Sequence, residues 1–122
     1  FMTDRGRVPE YAYAYCQQAD YVIIESNYDI DMLIRGRYTP DLKARVMSDR
    51  GHLSNDDCAG ALRRIWHPGL KGIFLCHLSQ DNNTPGLAYR TSYYALKSIG
   101  LSVPEDLQLV CLPRSDIFSL DF

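Results

Sequence analysis

Short apolar runs alternate with helical patterns along this 122-residue sequence, and that alternation predicts an α/β fold with a largely parallel or mixed sheet. Two further observations shape the expectation. Each run ends in a polar tip followed by a helix, the arrangement in which open α/β sheets build sites at the carboxyl ends of strands. The helices also suffice for only one sheet face, so three full strands make half of a layered structure whose other face needs a cover.

The elements follow in order. Phe1-Met2-Thr3-Asp4 reads as the end of a strand, without a methionine in front, so a chain whose earlier half is absent is expected. Pro9 suits the first turn of a helix along which Tyr11, Ala12, Tyr15, Cys16 and Ala19 recur at helical spacing. Tyr21 to Glu25 is a β-branched run that reads as a strand buried on both faces, followed by the polar tip Ser26-Asn27-Tyr28-Asp29. Ile30 to Ile34 reads as a short helix closed by Arg35-Gly36-Arg37. Thr39-Pro40 reads as an N-cap and first-turn proline before a helix over Asp41 to Met47. Ser54-Asn55-Asp56-Asp57 fits a capping box, and Cys58, Ala61, Leu62, Ile65 and Trp66 form the apolar stripe of a helix that packs on a sheet. His67-Pro68-Gly69 stops that helix. Gly72 to Cys76 is a buried strand, Pro85 to Ile99 a long helix ended by Gly100, and Leu107 to Leu112 the last strand, with an irregular tail from Pro113. With no repeat or linker, residues 1–122 read as part of one domain.

Composition narrows the function. Hydrophobic residues at 46% and charged residues at 23% are ordinary for a globular chain. A net charge of −2 gives no global pull toward nucleic acid, so a phosphate substrate must be held locally. No apolar run approaches the roughly 20 residues that span a membrane. The four dispersed cysteines, Cys16, Cys58, Cys76 and Cys111, read as buried thiols in a reducing compartment, which makes the cytoplasm the expected location.

Asp4, Glu25, Asp29, His52 and His77 each fall at a strand's carboxyl end or a helix entry, so all can face one edge. Two histidines and a carboxylate are what a zinc, manganese or iron site uses, although none of these residues forms a short metal signature. Each has a plainer reading too. His52 can help cap the helix starting near Asn55, His77 can be a satisfied core histidine, and Asp4 a turn residue. His67 suits the negative end of a helix dipole, and Asn82-Asn83 can be turn chemistry.

Four segments in order carry a family resemblance: Thr3-Asp4-Arg5-Gly6, Asp20 to Asp29, Ser48-Asp49-Arg50-Gly51-His52-Leu53-Ser54-Asn55, and Cys76-His77-Leu78-Ser79-Gln80-Asp81-Asn82-Asn83-Thr84-Pro85. Together they resemble the carboxyl-terminal half of metallo-β-lactamase-fold hydrolases, most closely those of YycJ (WalJ) type and more distantly ribonuclease Z. The resemblance implies half of an αββα sandwich with a two-metal site, zinc or manganese, along one edge. It makes Asp4 the carboxylate bridging the metals and His77 the last metal ligand. It also makes His52 a general acid or electrostatic stabiliser beside the scissile phosphate, and Glu25 the carboxylate that orients it.

The family's upstream His-x-His-x-Asp-His cluster and one further histidine ligand have no counterpart in these 122 residues. Asp4 and His77 cannot hold two metals, so the chain alone is expected to be inactive with weak or no metal binding. The complete protein is expected to be a phosphodiesterase or nuclease acting on DNA, with Arg5, Arg50 and Arg90 either contacting phosphate or simply solvated. The alternative is a non-catalytic module that associates through its open sheet face, with a missing amino-terminal half or a second copy as partner. A doubly wound ligand binder finds no glycine-rich phosphate loop here.

Overall fold

The structure, a computed structural model, describes residues 6–113. The expected strand end with Asp4 and Arg5, and the tail beyond Pro113, lie outside the described residues. Within them the order is α1 (Glu10–Cys16), β1 (Tyr21–Glu25), α2 (Ile30–Arg35), α3 (Pro40–Met47), α4 (Asn55–Ile65), β2 (Gly72–Cys76), α5 (Pro85–Ser98) and β3 (Gln108–Cys111). The three strands are parallel in the order β1-β2-β3, with Tyr21 opposite Gly72, Glu25 opposite Cys76, and Gly72 opposite Gln108.

Side-chain oxygens start four of the helices, each accepting a backbone N–H that the helix cannot use itself. Asp29 accepts from Met32, Thr39 from Leu42, Ser54 from Asp57 and Thr84 from Leu87. Pro40 and Pro85 sit in first turns, where the missing N–H costs nothing. Pro9 instead occupies the cap position of α1, one residue before the helix. Gly100 ends α5 with φ of +89°, a conformation a side chain would strain.

The core lies on one face of the sheet. Val22, Ile24, Ile73, Leu75 and Leu109 point into it and meet Cys58, Ala61, Leu62 and Ile65 of α4 and Ala88 and Leu96 of α5. Fully buried side chains such as Leu62 and Ile65 each contribute about 1.5–3 kcal/mol. The opposite face differs from the expected two-sided burial of β1. Tyr21 there is 49% exposed and Val110 37%, with Ile23 and Phe74 half-buried, because the core helices α4 and α5 sit on the other side.

His67 is structural, but not through charge at a helix end. Its Nε2 donates to the Ala19 carbonyl at 2.8 Å while its Nδ1 accepts the Gly69 N–H at 3.1 Å, a pairing that requires the neutral ring. No helix among the described residues is long and apolar enough to cross a membrane.

Candidate active site at the carboxyl edge of the sheet

The parallel register brings Glu25 and Cys76, the last residues of β1 and β2, side by side, and His77 follows at once. Glu25 is fully buried. Its Oε2 lies 2.6 Å from Nδ1 of His52 and 2.7 Å from Nδ1 of His77, and the two rings meet edge to face with centroids 5.1 Å apart. An ionised carboxylate only accepts, so both rings carry their proton on Nδ1 and turn Nε2 away from the carboxylate. His52 and His77 are 30% and 47% exposed, so a fully buried acid holds two rings that reach solvent.

The spacing also tests the three residues as ligands of one ion. Tetrahedral ligands about 2.0–2.2 Å from a zinc stand roughly 3.4 Å from each other. Contacts of 2.6 and 2.7 Å are hydrogen bonds instead, so the Nδ1 edges are orienting contacts and the ring atoms suited to a metal are the Nε2 nitrogens.

Backbone geometry places each ring. His77 has φ of +57°, a left-handed conformation that a histidine tolerates better than most side chains and that turns the chain out of β2. Its carbonyl accepts from the Asn27 amide at 2.7 Å. His52 stands on the end of α3: its N–H donates to Val46 O at 3.0 Å and the Gly51 N–H to Ser48 O at 2.9 Å. Gly51 has to be glycine here, since a Cβ would collide with Val46 O. Gly6 fits the same loop equally closely; its N–H donates to Asp49 O at 2.9 Å, and a Cβ on it would collide with Ser48 O.

A buried amide network ties these loops together. Ser26 donates to Asn55 Oδ1 at 2.6 Å, and the Asn55 amide to Asn83 Oδ1 at 2.9 Å. The Asn83 amide donates to the carbonyls of Ser26 and Asn27 at 2.9 and 3.1 Å. Asn27 is the point where both histidine loops converge: its N–H donates to Leu53 O, next to His52, and its carbonyl accepts from Ser79, just beyond His77. Such a network, once satisfied in a low-dielectric interior, fixes one arrangement.

Sequence reasoning placed Glu25, His52 and His77 at one edge, and the structure brings these three together. His52 does not cap α4; Ser54 does. His77 is not a core histidine. Asp29 stands apart from the cluster, its Oδ2 occupied by the Met32 N–H at the start of α2. Asp4 lies outside the described residues. The asparagines were missed as more than turn chemistry; their repeated occurrence in all three loop segments was the available signal. Cys58 lies nearby under the sheet edge, fully buried, where desolvation pushes its thiol up to about 12. Burial likewise raises the Tyr28 phenol, with Asp57 and Glu25 adding to the effect.

Among curated proteins, the chain is 39% identical over 108 residues to "Exodeoxyribonuclease WalJ" of two Streptococcus pneumoniae strains, D39 and R6. It is 36% identical over 108 residues to "Exodeoxyribonuclease YycJ" of Bacillus anthracis. The chain is related to the WalJ/YycJ exodeoxyribonucleases. The matches take in 88% of this chain, which spans only 40–41% of the length of those WalJ and YycJ relatives. No family model and no solved structure matches the chain.

Proposed function

We propose that residues 1–122 are the carboxyl-terminal half of a metallo-β-lactamase-fold domain that hydrolyses phosphodiester bonds in DNA. The observation that carries this reading is the single buried carboxylate oxygen of Glu25 bonded to Nδ1 of both His52 and His77. Carboxylate-oriented imidazoles with Nε2 directed outward are the donor set that metal and phosphate chemistry use. The names of the WalJ and YycJ relatives supply the DNA substrate.

In this reading His77 and Asp4 would help hold a divalent ion, zinc or manganese, with ligands from the rest of the protein. Two such ions would supply an activated hydroxide and offset charge on the attacking and leaving oxygens. His52, with its Nδ1–H held by Glu25, would act in its doubly protonated form and give the second proton, on Nε2, to the oxygen leaving phosphorus, ending as the neutral ring. Glu25 accepts the Nδ1–H of both rings and so fixes how they stand. Asp4 and His77 are too few to hold two ions, so the activity belongs to the assembled protein, which works in the cytoplasm where buried thiols such as Cys58 stay reduced. The half-exposed sheet face around Tyr21 and Val110 is where the remaining half packs. It also favours the second reading, an association module without chemistry of its own.

Two substitutions in the full-length protein separate these roles. His77→Ala is expected to lower bound metal, read by elemental analysis, and DNA hydrolysis together. His52→Ala is expected to lower hydrolysis about 10²–10⁴-fold while sparing metal content. Metal loss in the second variant would move His52 into the ligand set, and full activity in both would leave the module reading standing.

A further inference from the structure

Beside His52 the chain holds a second feature, whose lining does not include Glu25 or His77. Leu42, Arg45, Val46, Arg50, Gly51 and His52 line a cavity of about 380 Å³ between the end of α3 and the segment that carries His52. That is within the range of about 300–1,000 Å³ usual for small-ligand sites. Its two cations are uncompensated: among the described residues, Arg45 and Arg50 form no ion pair, whereas Arg64 is matched by both carboxylate oxygens of Glu10.

The end of a helix normally presents carbonyl oxygens that repel an anion. Here the chain occupies two of them. Arg45 O accepts from Ser48 N–H and from the Ser48 hydroxyl at 2.8 Å, and Val46 O accepts from His52 N–H. Asp49, the nearest acid in sequence, lines the neighbouring cavities with Arg7 instead. The charged or ionisable residues that line the cavity are Arg45 and Arg50, both exposed, and His52.

We propose that this cavity is a subsite for the phosphodiester adjacent to the one undergoing cleavage, with Arg45 and Arg50 as its anion-binding groups. The inference rests on the nuclease reading above and adds to it how the strand is held. Guanidinium forks suit phosphate oxygens geometrically as well as electrostatically. These 122 residues, with a net charge of −2, add no general attraction for DNA, so within them a strand must be held by a local anchor of this kind. Arg90, on α5, is not part of this cavity.

The test uses the full-length protein with Arg45→Gln and Arg50→Gln combined, after thermal melting shows the variant folded. Binding of a fluorescently labelled single-stranded oligodeoxynucleotide is expected to weaken about tenfold or more. The slope of log affinity against log salt is expected to become shallower by about 0.7, the value for one phosphate no longer neutralised on a single strand. Loss of kcat/KM on the oligonucleotide should exceed the loss on bis(p-nitrophenyl) phosphate, which has no neighbouring phosphate, by tenfold or more. The charge-preserving double variant, Arg45→Lys with Arg50→Lys, should recover part of the salt slope.

Unchanged DNA affinity and slope would overturn the subsite, as would equal losses on both substrates, which would put the arginines at the reacting phosphate. A protein that hydrolyses neither substrate yet binds DNA through these arginines would overturn the nuclease reading and keep the phosphate site.

Discussion

Glu25 concentrates several demands on one oxygen. A fully buried carboxylate is costly to leave without partners, and here its Oε2 has two imidazole donors within 2.7 Å. Glu25→Gln keeps the volume but removes the charge that both Nδ1–H groups address. It is expected to cost about 2 kcal/mol of stability, read by denaturant unfolding, and at least tenfold in hydrolysis. A variant with wild-type activity would show that the rings orient themselves. Cys58 gives a contrasting residue-scale expectation: with its thiol pushed up to about 12 by burial, it stays protonated at neutral pH. Alkylation followed by mass spectrometry should leave Cys58 unmodified until the protein unfolds, and rapid native-state labelling would contradict the burial. Half-exposed Cys111, expected to be buried, should react sooner. Residue identity made the triad legible because a histidine or acid at a strand end is conspicuous. Which of its atoms touch was not legible, since that depends on the parallel register and on a left-handed backbone at His77.

At the scale of elements, the helices were readable because their punctuation is local. Thr39, Ser54 and Thr84 each cap a helix within three residues of the N–H they accept, and sequence neighbours carry all that information. The loops were not readable in the same way. Ser26, Asn55 and Asn83 are separated by 28 and 29 residues in the bonds that join them, so their partnership exists only after the sheet forms. The segment carrying His52 is equally dependent on a distant fit, to the last turn of α3. Gly51→Ala would press a methyl group against Val46 O and Arg45 O. Displacement of that segment is expected to reduce hydrolysis more than tenfold while lowering the melting temperature by only a few degrees. Retention of full activity would mean that the backbone relaxes without moving His52.

On the scale of the whole molecule, the chain is a sheet clothed on one side. The sequence pattern predicted this from the ratio of helices to strands, and it missed only how open the amino-terminal end of β1 is, because strand composition does not reveal which face meets a helix. Val110→Lys tests the consequence. In the 122-residue polypeptide by itself, the substitution is expected to reduce self-association and hydrophobic-dye binding. In the full-length protein it is expected to destabilise by about 1–3 kcal/mol, since the lysine would be trapped against the covering half. Equal tolerance in both settings would show that this face stays in water.

Beside the Glu25 carboxylate, the loops that carry the two histidines are tied together by uncharged amides, hydroxyls and backbone groups: Ser26, Asn27, Asn55 and Asn83. Protons and salt leave such bonds nearly untouched, whereas they act directly on imidazoles, a carboxylate and guanidinium groups. The protein therefore separates scaffold from response. On the nuclease reading, raising ionic strength should loosen the hold on DNA while the loops that carry the two rings stay in place.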